Sequence, residues 1–273
     1  MFALPPGRPL PRLELPRYDT GRRMRLTGKV VLITNVGQYM GPACAEEFAK
    51  EGAILALHER TEPRAQAALE LARAHGREAT VVTGDLTTSG EANRVVRTVA
   101  ERHGRLDVLI NNSSHSPVGG PIDEVSDETW RSMTAALYDE PFFCLRAALR
   151  VMKRQGHGKV VNITSAVAIP GLPNYAAYSA ARAGANGLTR AVGREVARHN
   201  IQVNAIAQNF VENPTYFGPE VTGHPDKLAR VIRNVPAGRL ARSEESAKLC
   251  VFLACDESDF FCGQVIPFAG GWI

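Results

Sequence analysis

Residues 29–41 read KVVLITNVGQYMG, and the two halves of this stretch decide the fold. The first half is a β-branched run with the length of a buried strand, and the polar turn after it opens onto a helical stretch that begins near Pro42. From Gly28 onward the alternation repeats, with further strands expected over 53–57, 79–83, 106–112, 158–164, 201–207 and 264–269. Short strands that alternate with amphipathic helices build βαβ units, and right-handed crossovers leave a doubly wound arrangement. The chain is therefore expected to form an α/β, Rossmann-like sheet of seven parallel strands, with helices on both faces and one domain over residues 26–273. Ligands of such sheets bind beyond the carboxyl ends of the strands, so the informative residues should follow each strand.

The composition limits what those residues can mean. A chain of 273 residues with 44% apolar content has room for one large core. Its net charge of +4 is spread through the sequence, which points to a small-molecule partner and away from nucleic acid. The five cysteines, Cys44, Cys144, Cys250, Cys255 and Cys262, form no C-x-x-C pair and are odd in number. Neither a disulfide framework nor a zinc site is expected, and reduced thiols fit a cytoplasmic location. No run of about 18 apolar residues exists, so no membrane span is expected. Residues 1–25 are rich in proline and arginine and lack periodicity, as in a surface-draped extension.

In a dinucleotide loop after the first strand, glycines let the backbone approach the pyrophosphate at a helix N-terminus. Here Asn35 and Tyr39 stand at two glycine positions and Gly41 alone remains. A phenol in the middle of the loop is expected to fill the volume that a nicotinamide cofactor needs.

A second constellation follows the fifth strand in ITSAVAIPGLPNYAAYSAARAG. Ser165 follows the strand, and Tyr178 and Arg182, four apart, point from one face of the next helix. Tyr175 is a rival phenol, but the residue four positions on is the uncharged Ser179. A permanent positive charge beside a phenol favours its anionic form, which is what general-base work requires.

These residues carry a resemblance. From residue 26 to 273 the chain resembles the short-chain dehydrogenase/reductase superfamily, through the loop after the first strand, GDLT at 84–87, NNSS at 111–114, and the serine and tyrosine thirteen apart. Within it the chain is similar to the halohydrin dehalogenases, whose patterns T-x4-(F/Y)-x-G and S-x12-Y-x3-R are met by Thr34, Tyr39 and Gly41 and by Ser165, Tyr178 and Arg182. The dehydrogenases carry lysine at the position of Arg182. The resemblance implies a halide or nucleophile site from Thr34, Tyr39, Gln208, Asn209, Phe210, Val211, Tyr216 and Phe217, with Gln208 departing from the usual proline. It implies pocket walls at His115, Leu137, Leu172 and Pro214, and Leu137 also replaces the asparagine of a dehydrogenase proton relay. Glu59 and Asp85, acids of the adenine side in cofactor-binding members, are expected to pair with arginines instead.

The implied activity is cofactor-independent. Ser165 and Tyr178 hold the hydroxyl of a vicinal haloalcohol, Tyr178 removes its proton, and the alkoxide displaces halide to give an epoxide. In reverse, azide, cyanide, nitrite or halide opens the ring. No cofactor or metal is expected, and the superfamily implies a homotetramer whose contacts include Ala181, Ala185 and Leu188. The competing readings are an NAD(P)-dependent short-chain dehydrogenase/reductase and a non-catalytic relative that senses a ligand.

Overall fold

The computed structural model describes residues 24–273, so the expected extension lies outside the described residues apart from Met24 and Arg25. Seven strands form one parallel sheet in the order β3-β2-β1-β4-β5-β6-β7. They are β1 (Val30–Ile33), β2 (Ile54–Glu59), β3 (Ala79–Thr83), β4 (Val108–Asn111), β5 (Gly158–Ser165), β6 (Ile201–Gln208) and β7 (Val265–Phe268). The strand order reverses between β1 and β4, and the crevice at that switch point is where such sheets hold ligands.

Alternating residues of each strand feed two apolar layers. Val31 and Ile33 pack under α1 (Gly41–Lys50), α2 (Glu62–Ala74) and α9 (Ser243–Ala254). Val30 and Leu32 pack under α3 (Ser89–His103), α5 (Glu140–Gln155) and α6 (Ala176–Val196). The remaining helices are α4 (Asp127–Thr134), α7 (Pro219–Thr222) and α8 (Pro225–Ile232). No helix among the described residues is long and apolar enough to cross a membrane.

Three strand ends run further than the apolar pattern does. β2 continues through His58 and Glu59, both fully buried, because their polar groups bond to the loop after β1. β5 and β6 each continue by one residue, to Ser165 and Gln208, which pair in register. Ala181 and Ala185, expected to face another subunit, are instead buried within this chain, and Leu188 packs against the second layer.

The helical stretch after β4 is broken. Residues Ala135–Asp139 form a π turn between α4 and α5. Pro141 lacks the N–H that would bond the carbonyl of Leu137, and the widened turn absorbs that defect. The turn places Leu137 beneath Tyr178, in a cluster with Met133, Val167 and Ala177. It also directs the carboxyl of Glu140 inward, where it accepts a hydrogen bond from Asn35 Nδ2.

Burial pushes the Glu140 pKa up to about 8, against the opposing pull of the Asn35 bond and of Arg60, with Asp85 and Glu59 adding to the rise. An unfolded glutamate releases its proton near its ordinary value of 4.5, whereas the folded chain keeps it until about 8. Glu140 therefore costs stability increasingly as pH rises between those two values. Glu140→Gln, which keeps the acceptor and removes the titration, should melt higher than the wild type by a margin that grows across that window and is flat above it. A margin independent of pH in thermal denaturation would contradict this.

Candidate active site

The loop from Thr34 to Gly41 is held entirely by the chain's own groups. Thr34 N donates to Ile110 O, Asn35 N to His58 Nδ1, Val36 N to His58 O and Gly37 N to Glu59 Oε1. Gln38 N donates to Asn35 O, Tyr39 N to Thr215 Oγ1 at 2.8 Å, Met40 N to Asn112 Oδ1 and Gly41 N to Gln38 O. His58 can accept from Asn35 because burial lowers its pKa to about 4 and its other nitrogen, Nε2, donates to Gly84 O at 3.1 Å. Gly41 and the neighbouring Gly37 are both kept by packing. A Cβ on Gly41 would lie 2.5 Å from Val36 backbone atoms, and one on Gly37 would lie 2.4 Å from Arg64 O.

Asn35 and Tyr39 both adopt φ of 50°, the left-handed region that glycine usually occupies. Asparagine tolerates it, but a tyrosine there costs about 1–2 kcal/mol. Three contacts offset the strain: the Thr215 bond to its N–H, the edge of Tyr216 at 5.2 Å between ring centroids, and a hydrogen bond from Tyr39 Oη to Thr164 O at 3.3 Å.

Behind the loop lies Arg182, which is fully buried. Nη1 donates to Ser113 Oγ and Ile163 O, and Nη2 to Ser113 O. The guanidinium carbon sits 5.5 Å from the centroid of the Tyr178 ring and 5.9 Å from that of Tyr39. Burial opposes its charge, but Tyr178, Tyr216 and Tyr39 around it more than compensate, and its pKa is raised. Burial also pushes the phenols of Tyr39 and Tyr216 upward, so both hold their protons.

Ser165 and Tyr178 meet in a cavity of about 450 Å³ beyond the ends of β5 and β6. Of the expected site residues, Tyr39, Leu172, Gln208, Asn209, Phe210, Val211, Tyr216 and Phe217 also line it. Five others do not. Thr34 is buried between strands, where Oγ1 accepts from Asn112 N, so it faces no ligand. Arg182 and Leu137 lie beneath the wall, and Pro214 is exposed on its loop. His115 acts through its backbone, whose carbonyl accepts from Tyr216 Oη at 2.9 Å.

The anion nest expected at Asn209, Phe210 and Val211 is largely committed elsewhere. Asn209 N donates to Phe268 O, and Phe210 N to Asn209 Oδ1. Glu59 and Asp85 do pair with arginines, Arg64 at 3.5 Å and Arg60 at 3.0 Å. The sequence reading missed Trp272, Val231 and Asn234 in the wall. Trp272 meets the ring of Phe210 at 5.5 Å, a contact between positions too far apart in sequence for any local pattern to signal. It also missed Ser113 as a holder of Arg182, although NNSS was visible after β4.

Comparison with known proteins settles the class. A profile described as enoyl-(acyl carrier protein) reductase matches residues 37–273. An "uncharacterized oxidoreductase" of Thermotoga maritima is 33% identical over 91% of this chain and 98% of its own length. The 3-oxoacyl-(acyl-carrier-protein) reductase of the same organism is 31% identical over 92% of this chain and its full length. A solved structure of a "dehalogenation enzyme" superposes with a TM-score of 0.84 and 31% identity, over 92% of this chain and 100% of that one. The matched profile and these two curated relatives are oxidoreductases, which overturns the expectation of a halohydrin dehalogenase, a carbon–halide lyase working without a cofactor. With its seven-stranded parallel sheet and a profile match over most of its length, the chain belongs to the short-chain dehydrogenase/reductase superfamily.

Proposed function

We propose that this chain is an oxidoreductase that interconverts a small neutral alcohol and its carbonyl compound, with Ser165 and Tyr178 on the reacting oxygen and Arg182 behind Tyr178. The observation that carries the reading is the convergence of the two hydroxyls on one cavity whose wall contains no acidic or basic side chain. The oxidoreductase relatives support the reaction class.

Ser165 Oγ accepts a hydrogen bond from Val167 N at 3.2 Å, which leaves its own proton available to a substrate oxygen. In the oxidative direction the alcohol passes its O–H proton to Tyr178 Oη while its C–H hydride would pass to an external two-electron acceptor, which in this superfamily is a nicotinamide dinucleotide; in the reductive direction both return. The buried guanidinium of Arg182 lies 5.5 Å from the Tyr178 ring and so places a fixed positive charge next to the reacting region. A tetramer of the kind common in the superfamily would use the groove between α5 and α6, whose apolar floor of Phe142, Leu145, Leu149, Leu188 and Val192 is flanked by Arg146, Arg150, Lys153 and Glu195.

Oxidoreductases of this superfamily exchange hydride with a nicotinamide dinucleotide, and the loop from Thr34 to Gly41 as arranged is closed to that group, so the proposed turnover requires Tyr39 and its loop to move aside. The loop offers no free N–H to a diphosphate. The Tyr39 ring occupies the space between the loop and Arg182. Glu59, at the adenine side, is engaged by Gly37 N, Arg60 N and Arg64.

The test is dinucleotide-linked turnover of small secondary alcohols by the full chain. The expected result is NAD⁺ or NADP⁺ reduction that falls at least a hundredfold in Tyr178→Phe and about tenfold or more in Ser165→Ala, with folding unchanged. Absence of both turnover and dinucleotide binding in calorimetry would sink the proposal.

Arg182→Lys should reduce turnover at least tenfold and lower the melting temperature. An ammonium cannot reproduce the planar fork that spans Ser113 and Ile163, so buried carbonyls lose donors. Full activity with an unchanged melting point would remove Arg182 from its assigned place.

A further inference from the structure

Just beyond β6, Phe210 adopts φ of 56°, in the left-handed region where a bulky side chain is unfavourable. Its backbone is held there from both sides, since its N–H donates to Asn209 Oδ1 at 2.9 Å and its carbonyl accepts from Ala241 N. In that conformation the ring meets two others of the cavity wall, Phe217 stacked at 6.1 Å between centroids and Trp272 edge-on at 5.5 Å. Phe217 is tied in turn by a two-way backbone bridge to Asn213. Trp272 packs against the apolar cluster that contains Tyr178 and Val167. The three rings therefore continue one wall away from the reacting phenol, and each remains only partly buried. Strain of this kind persists where the surroundings over-determine it, and here what it fixes is the position of a ring in a cavity.

We propose that Phe210, Phe217 and Trp272 form a subsite for an aromatic ring, so that the cavity takes neutral aryl carbinols and aryl ketones in preference to saturated analogues of the same size. The assignment rests on the oxidoreductase reading, which places the reacting oxygen at Ser165 and Tyr178. A ring carried on the reacting carbon reaches the subsite because Trp272 packs on the same cluster as Tyr178. Edge-on and stacked contacts between aromatic rings contribute beyond the area they bury, and a saturated ring of similar size forgoes that part. A cavity of about 450 Å³ also has room for far more than a three-carbon alcohol. The substituent is neutral because no acidic or basic side chain lines the wall and the fork of Arg182 is committed to Ser113 and Ile163. Walls whose rings are fixed in advance lose little freedom when a ligand ring arrives, which is what lets a few contacts discriminate.

Calorimetric titration of the full chain with 1-phenylethanol, 1-cyclohexylethanol and 2-propanol tests the assignment. 1-Phenylethanol should bind about tenfold tighter than 1-cyclohexylethanol, with 2-propanol the weakest of the three. The ratio of phenyl to cyclohexyl affinity should fall by about threefold or more in Trp272→Leu and in Phe210→Gly. Glycine relieves the left-handed strain at its position, so the second variant keeps the test readable even if the first folds poorly. Equal phenyl and cyclohexyl affinities in the wild type, no detectable binding, or a ratio unchanged in both variants would overturn the proposal. A phenyl preference without dinucleotide-linked turnover of 1-phenylethanol would sink the oxidoreductase reading and leave the ring subsite in place. Turnover of all three alcohols with equal affinity would sink the subsite alone.

Discussion

A full positive charge buried beneath the ends of the sheet is the constraint around which this site is arranged. Arg182 is entirely inaccessible, and no carboxylate lies within ion-pair distance of it among the described residues. An isolated cation in such a place would be prohibitive. It is tolerated because carbonyls of Ile163 and Ser113 accept from it and because aromatic rings turn toward it. Satisfying the charge therefore locks α6 to the ends of β4 and β5, and it fixes Tyr178 one turn away on the same helix. Tyr39 belongs to the same solution, since its ring lies next to the guanidinium.

The fold was legible because the sheet is buried on both faces and its strands read as continuous β-branched runs between turns. That Ser165, Tyr178 and Arg182 lie close together was legible for a local reason, the end of a strand followed by a four-residue helical spacing. The loop after β1 was legible only in part. The missing glycines and the intruding phenol stand in the sequence, but the partners that hold the loop come from His58, Glu59, Asn112 and Thr215, which only the folded chain brings there. The role expected for Thr34 failed because its hydroxyl bridges two strands. The anion nest failed because Asn209 bonds its own neighbour's N–H.

The function was the least legible part, and the reason is physical. A serine, a tyrosine and a nearby cation handle a proton on an oxygen, and that competence is common to several reactions. What separates them is where the other bond is broken, and that depends on groups beyond the triad. Motif departures at Tyr39 and Arg182 pointed one way, while the relatives over nine-tenths of the chain point to oxidoreductases. The closed loop and the family membership are both facts of this molecule, and they meet at Tyr39.

The π turn between α4 and α5 has a consequence for how the loop's fastening is encoded. One residue more than an α-helix requires shifts everything after it by about 100° of helical phase. In this chain that phase brings Glu140 inward to Asn35 and sets Leu137 beneath Tyr178. The grip on the loop is thus written as a count of residues some hundred positions away, as well as in the identity of the residues that touch it. Deleting one residue from Ala135–Asp139 would leave every contact residue of the loop in the sequence and still rotate its anchor away.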